Sequence, residues 1–379
     1  MTRELETLRD QIDALDARLI TLLAERKRLT AAVGAIKRAL GLPLYVPERE
    51  AALLAARRSQ AEAARLDPGL IEDVLRRVMR DSYASQENRF PATGDTTRPV
   101  LIVGGAGALG RLFGSFFARS GYPLRVLEPD DWPRAGALVA GAGLVLVAVP
   151  IDRTVAVIEA LPRLPDDCVL ADVTSIKRAP PAAMRARHPG PVVGLHPMFG
   201  PDVGSLAKQV FVVCPGRDTD RCRWLLDQIG LWGAVLREES PEAHDRAMAM
   251  IQAMRHFSTL VYGAFLEREG ADLDALLRLS SPIYRLELAM VGRLFAQNPD
   301  LYADIILSAE DLPALADDYR AALDELLALV REGRREALIE RFDAVRTYFG
   351  EHAAALLRES GELLRKAHDG RDPGVPIVG

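Results

Sequence analysis

The chain has 379 residues, 49% of them hydrophobic and 27% charged, which excludes a disordered or collagen-like polymer and leaves room for two or three separately cored domains. Lys and Arg number 48 against 53 Asp and Glu, a formal charge of −5, so no nucleic-acid footprint is expected and the partners read as small molecules. Cys168, Cys214 and Cys222 are odd in number and lack C-x-x-C spacing, which argues against a disulfide framework or a metal site and for a reducing cytoplasm.

The opening MTRELETLRD carries no apolar signal segment, and the longest uncharged run, 135–151, holds three glycines, so no membrane span is expected. Only five of the cations are lysines, Lys27, Lys37, Lys177, Lys208 and Lys366. Arg is the default cation, and a Lys at a particular position says slightly more.

In chain order, Leu5, Leu8, Ile12, Leu15, Leu19, Leu22, Leu29, Val33, Ile36 and Leu40 recur at helical steps, predicting a first helix of roughly 36 residues and about 54 Å. A 90-residue unit cannot cover that length alone, so the helix calls for a partner chain. Gly41, Pro43 and Pro47 break it; a second helix is predicted from about Glu48 and a third from Pro68 to Gln86. The stretch 88–99 has linker composition. From Pro99, short β-branched runs alternate with amphipathic helices, the rhythm of a parallel sheet with crossover helices. From about Pro241 the chain is helical again. The predicted domains are therefore 1–90, a linker at 91–98, 99–240 and 241–379.

LIVGGAGALGRLF carries G-x-G-x-x-G as Gly105, Gly107 and Gly110 between a strand and a helix. Glycines there allow a tight turn and close approach to a pyrophosphate, with Ala106 and Leu109 inside the same turn. The next strand ends at Glu128, placed to accept from ribose hydroxyls. A 2′-phosphate would meet Glu128, Asp130 and Asp131 together, so NAD is predicted over NADP. His196 ends the strand VVGLH, where open α/β sheets bind ligands. Its ordinary pKa suits a base that takes a hydroxyl proton as hydride leaves carbon. His188, His352 and His368 read as solvated, while His244 or His256 could face the cleft.

Five segments carry a resemblance: LRDQIDALDARLITLLAERKRL, GLPLYVPEREA, LIEDVLRRVMRDSY, GLHPMFGPDVGSLAKQ and SSPIYRLELAMVGRLFAQNPDLYADII. On these, over nearly the whole length, the chain resembles the bifunctional chorismate mutase/prephenate dehydrogenases of tyrosine biosynthesis. The resemblance implies an N-terminal all-α mutase domain forming an intertwined homodimer, a Rossmann-like NAD-binding domain and a C-terminal all-α dimerisation domain. It implies conversion of chorismate to prephenate, then of prephenate to 4-hydroxyphenylpyruvate, with L-tyrosine as inhibitor. It assigns Arg293 to a prephenate carboxylate, with Arg285 and His256 also in that site and Ser175 and Lys177 at the nicotinamide end.

For the mutase it assigns Arg9 and Arg26 to carboxylates, Lys37 and Gln86 to the ether oxygen, Arg49 to support, Glu50 to the substrate hydroxyl and Ser82 to a carboxylate. Val46 stands where a substrate-facing Asp is often found. Helical geometry agrees in part: Arg26 and Lys37 fall within about 20° of one face, whereas Arg9 points roughly 100° away, toward a partner's pocket. A competing reading makes the N-terminal helices a dimerisation or regulatory module only. Arg9, Arg26, Lys37, Glu50 and Gln86 standing together argue against it.

Overall fold

The computed structural model describes residues 3–86 and 89–369. Two compact units form, residues 1–244 and 245–379. The first opens with helix α1 (Arg3–Ala39), α2 (Pro47–Ala63) and α3 (Pro68–Gln86). Gly41 takes the left-handed conformation, φ +65°, just after α1 ends, and Pro47 opens α2 where its missing N–H costs nothing. Only Gly34 is buried along α1. Leu8, Ile12, Leu15, Leu22, Leu29 and Ile36 are all exposed, so the apolar stripe predicted from the leucine spacing is left uncovered among the described residues.

The segment expected to be a linker is instead strapped to the sheet. Phe90 is buried in the main core with Leu44 and Trp232. Thr93 donates from Oγ1 to the Trp224 carbonyl (2.6 Å) and from its backbone N–H to Gln228 Oε1 (3.1 Å), and the Gly94 N–H donates to the Tyr122 hydroxyl (2.8 Å). The polar composition that suggests a tether satisfies these bonds, which a tether would give to water.

Seven strands follow: β1 (Val100–Val103), β2 (Leu124–Leu127), β3 (Leu144–Val147), β4 (Val169–Asp172), β5 (Val192–Pro197), β6 (Val210–Arg217) and β7 (Val235–Glu238). They form one sheet in the order β2-β1-β3-β4-β5-β6-β7. β1, β3 and β4 are wholly buried, as expected for parallel strands covered on both faces. Two features depart from the predicted parallel rhythm. β6 runs antiparallel to β5, with His196 opposite Val212, because no helix intervenes between them to make a crossover. β7 was not anticipated: its residues Val235–Glu238 are half-buried or exposed at the sheet edge and end in Arg-Glu, which hides the strand pattern.

Because β1, β3, β4 and β5 are mutually parallel and in register, their carboxyl ends meet at one edge of the sheet. Gly104, Thr174 and His196 therefore share that edge. The second unit is helical among its described residues, with a small buried cluster of Ala253, Met254 and Leu312. No described helix is long and apolar enough to cross a membrane.

Candidate active sites

The turn after β1 is shaped by glycine. Gly104 has φ +80°. A Cβ on Gly110 would lie 2.4 Å from the Gly104 carbonyl oxygen and 2.7 Å from the Gly105 Cα, so no other residue fits without moving backbone. Helix α4 (Ala108–Arg119) starts at Gly107, which gives it no side-chain cap, and its first N–H groups are left for an anion. Leu109 is half-buried and packs on the main core. The exposed Ala106 donates its N–H to Glu128 Oε1 (2.7 Å).

Glu128 and Asp131 also cap one another across the turn Pro129–Arg134, the Glu128 N–H donating to Asp131 Oδ2 (3.0 Å). That bond, and then the Arg134 guanidinium, hold the Asp131 carboxyl below the usual range. The cradle, the uncapped helix start and the carboxylate fit a dinucleotide, whose pyrophosphate and ribose need those groups.

His196 is buried at the end of β5, with Nδ1 2.8 Å from His244 Nε2 and the two rings edge to face. Burial, then the Lys177 ammonium, then His244 hold its basicity well below the ordinary imidazole value. It is therefore neutral at pH 7. Lys177 is fully buried in an ion pair with Asp172 Oδ2 and lies 3.2 Å from Thr174 Oγ1. The Thr174 N–H donates to the same carboxylate oxygen (3.0 Å), whereas Asp172 Oδ1 accepts from no described residue. Ser175 is half-buried in the same loop. His188, expected to be solvated, is instead buried, and its Nε2 lies 2.7 Å from the Cys168 carbonyl, because the RHPG turn folds inward beneath β4. Burial lowers its basicity too. The His368 side chain lies outside the described residues.

In the helical segment, Arg26, Lys37, Arg49, Glu50 and Ser82 line one cavity of about 130 Å³, with Val33, Leu44, Val46 and Met79 as apolar walls. Arg26 Nη1 donates to Ser82 Oγ (3.2 Å). Lys37 Nζ donates to the carbonyls of Leu44 (3.0 Å) and Pro43 (3.3 Å), and burial lowers its pKa. Two of the ammonium's three hydrogens are thereby directed, leaving one for a ligand. Val46 faces this cavity as expected. Arg9 does not: it is 17 residues from Arg26 on the same helix, about 25 Å along the axis. Gln86 ends α3, and its side chain lies outside the described residues.

Sequence reasoning missed three groups around Glu50. The Tyr83 hydroxyl donates to Glu50 Oε2 (2.8 Å), Arg76 Nη1 to Oε1 (3.4 Å), and Lys208 forms an ion pair with Oε1. Burial and the carboxylate push the Tyr83 hydroxyl well above the ordinary phenol value. Spacing carried no signal for these contacts; the scarcity of Lys was the only hint for Lys208.

In the second unit Arg285 is half-buried and lines an apolar cavity of about 490 Å³ with Phe295, Leu288 and Leu266. Arg293, eight residues further along the helix Pro282–Phe295, is exposed and is not among that lining. His256 is buried edge-on against Tyr302, 4.8 Å between centroids, and burial with Arg255 beside it brings its pKa down to about 4.

A cation-lined helical cavity joined to a dinucleotide-type sheet with a buried histidine defines a two-part enzyme, an anion-binding helical catalyst and a dehydrogenase. Residues 8–87 match the family described as chorismate mutase type II, 130–235 the prephenate dehydrogenase nucleotide-binding domain, and 240–344 the prephenate dehydrogenase dimerization domain. The chain is 54% identical to the T-protein of Enterobacter agglomerans over 372 residues, 98% of this chain and 100% of that one. To the T-protein of Haemophilus influenzae it is 47% identical over 367 residues, 96% and 97% of the two chains. It belongs to the T-protein family of bifunctional enzymes with chorismate mutase and prephenate dehydrogenase activities.

Among solved structures, a prephenate dehydrogenase from A. aeolicus in complex with hydroxyphenyl propionate and NAD+ aligns with a TM-score of 0.52 at 19% identity, covering 66% of this chain and 96% of that one. Synechocystis arogenate dehydrogenase aligns at 0.51 and 21%, covering 66% and 100%. Both show the shared fold.

Proposed function

We propose that the helical cavity rearranges chorismate to prephenate, and that the sheet-based site converts prephenate with NAD+ to 4-hydroxyphenylpyruvate, CO2 and NADH. The observation that carries this reading is the gathering of Arg26, Lys37, Arg49, Glu50 and Ser82 around one small cavity in a chain that also buries a neutral His196 at the sheet edge. The rearrangement is pericyclic, so the protein needs to hold a compact conformer and stabilise charge growing on the ether oxygen. Arg26, oriented by Ser82, takes a carboxylate. Lys37 points its remaining hydrogen at the ether oxygen, and Glu50 accepts from the substrate hydroxyl. Arg49 supports the pocket. Arg9 serves the pocket of a second copy, and the exposed leucine stripe of α1 supports such a homodimer.

For the second step the turn Gly105–Gly110 with Ala106 and Leu109, together with Glu128 and Ser175, would hold NAD+, which would supply the hydride acceptor. His196 accepts the hydrogen bond of the C4 hydroxyl, which becomes the phenol as hydride leaves C4 and the ring carboxylate departs as CO2. That role requires His196 Nε2 to be the acceptor, so Nδ1–H donates to His244, which fixes the tautomer. By family resemblance Arg293 and Arg285 are assigned as guanidinium partners for prephenate carboxylates, and His256 as a further substrate contact. We further propose cytoplasmic location and inhibition by L-tyrosine, whose ring and side chain mimic the product. An absorbance assay with purified protein tests the reading: chorismate plus NAD+ yields NADH, and millimolar tyrosine slows it. Chorismate loss without NADH overturns the dehydrogenase step, and NADH from prephenate but not chorismate overturns the mutase step.

A further inference from the structure

We propose that Lys208, supplied by the sheet domain, is a positioning residue of the mutase cavity: its ion pair holds Glu50 in place, so the dehydrogenase half of the chain completes the helical site. This rests on the reading of that cavity as the mutase site. Glu50 lies on α2 with only 6% of its side chain exposed, and a carboxylate removed from water at that depth needs a counter-ion. Arg76 is a weak candidate, because it forks onto Glu72 at 2.6 and 2.9 Å and approaches Glu50 only to 3.4 Å. Lys208 pairs with Oε1 directly, while Tyr83 holds Oε2 (2.8 Å). Glu50 itself lines the cavity, with Tyr83 beside it, so the contacts that fix its two oxygens also fix where the carboxylate meets a ligand.

The backbone around Lys208 is committed to this placement. Lys208 sits at φ +68°, a left-handed conformation shared among described non-glycine residues only by Arg65 and Asp218. Such a conformation costs on the order of 1 kcal/mol or more and persists where surrounding structure enforces it. Here the Lys208 N–H donates to the Gly233 carbonyl (2.9 Å). The ammonium also lies 5.3 Å from the Tyr45 ring centroid, and Tyr45 meets Tyr83 edge to face. Sheet loop, α2 and α3 thus contribute to one polar cluster around Glu50. The loop is the one that leaves His196 at the end of β5 and returns as β6, so the same polypeptide segment bounds both sites.

The test uses the full-length chain and initial rates of chorismate loss. Lys208→Met is expected to raise the chorismate KM about tenfold with a smaller change in kcat, the scale of one charge-assisted contact. Lys208→Arg is expected to recover most of that loss. Lys208→Gly, which relieves the left-handed backbone and so guards against misfolding, is expected to show the same KM rise. In a Glu50→Gln background, Lys208→Met is expected to add less than about twofold, because the two act as one unit. A wild-type KM in both Lys208→Met and Lys208→Gly overturns the proposal, as does an equal loss in the two Glu50 backgrounds. A wild-type chain that leaves chorismate unchanged overturns the cavity reading itself, and the role of Lys208 with it.

Discussion

Gly110→Ala probes the dinucleotide turn at the point where it has least room. The added Cβ lies 2.4 Å from the Gly104 carbonyl oxygen and 2.7 Å from the Gly105 Cα, against an ordinary contact of about 3.5 Å. The turn must retreat by about 1 Å. Both obstacles are backbone, and Gly104 is fixed by its N–H to the Leu127 carbonyl (3.0 Å) and by accepting from the Gly107 N–H (3.1 Å), so no flexible side chain can absorb the shift. Overpacking of this kind costs about 1–3 kcal/mol, and at about 1.4 kcal/mol per tenfold the expected rise in the NAD+ KM is about 5- to 150-fold. Mutase turnover is expected to stay within about twofold, because neither the lining of its cavity nor Lys208 belongs to this turn. Steady-state rates with varied NAD+, beside chorismate loss on the same preparation, measure both. An unchanged NAD+ KM in a variant of normal melting temperature would refute the placement of the pyrophosphate.

The ammonium of Lys177 disfavours the imidazolium form of His196, so removing it raises the pH at which His196 protonates and becomes inactive. Asp172→Asn with Lys177→Met, made together to avoid stranding a buried carboxylate, is expected to move the acid limb of dehydrogenase kcat/KM to higher pH; an unmoved limb contradicts the electrostatic argument. His244→Leu removes the acceptor for His196 Nδ1–H and leaves the tautomer unspecified, so dehydrogenase turnover is expected to fall on the order of 10- to 100-fold with little change in the prephenate KM. A variant with wild-type turnover would show that His244 does not set the tautomer.

Local periodicity made much of this molecule legible. The leucine spacing, with Gly41 and the prolines as punctuation, marked the first three helices, and strand, glycines and acidic strand end marked the dinucleotide turn. Edge strand β7 was invisible because its polar residues break the apolar run, and the antiparallel β5/β6 pair was obscured because short β-branched runs carry no direction. His188 sits in a turn sequence that reads as solvated, yet tertiary folding places it under the Cys168 carbonyl. Side-chain partners from distant elements were beyond reach altogether: Glu50 and Lys208 are 158 residues apart, and His196 and His244 are 48 apart. The helical cations were legible through resemblance, since Arg26 and Lys37 share a face by geometry but a solvated basic face would share it too.

On this reading one chain holds two sites, each performing one step. That reading is tested most directly by measuring chorismate loss and prephenate-dependent NADH formation in two variants, His196→Asn and Lys37→Met. His196→Asn is expected to lose dehydrogenase turnover by a factor on the order of 10² to 10⁴ with normal mutase activity, and Lys37→Met to do the reverse. Equal damage to both activities in either variant would contradict it.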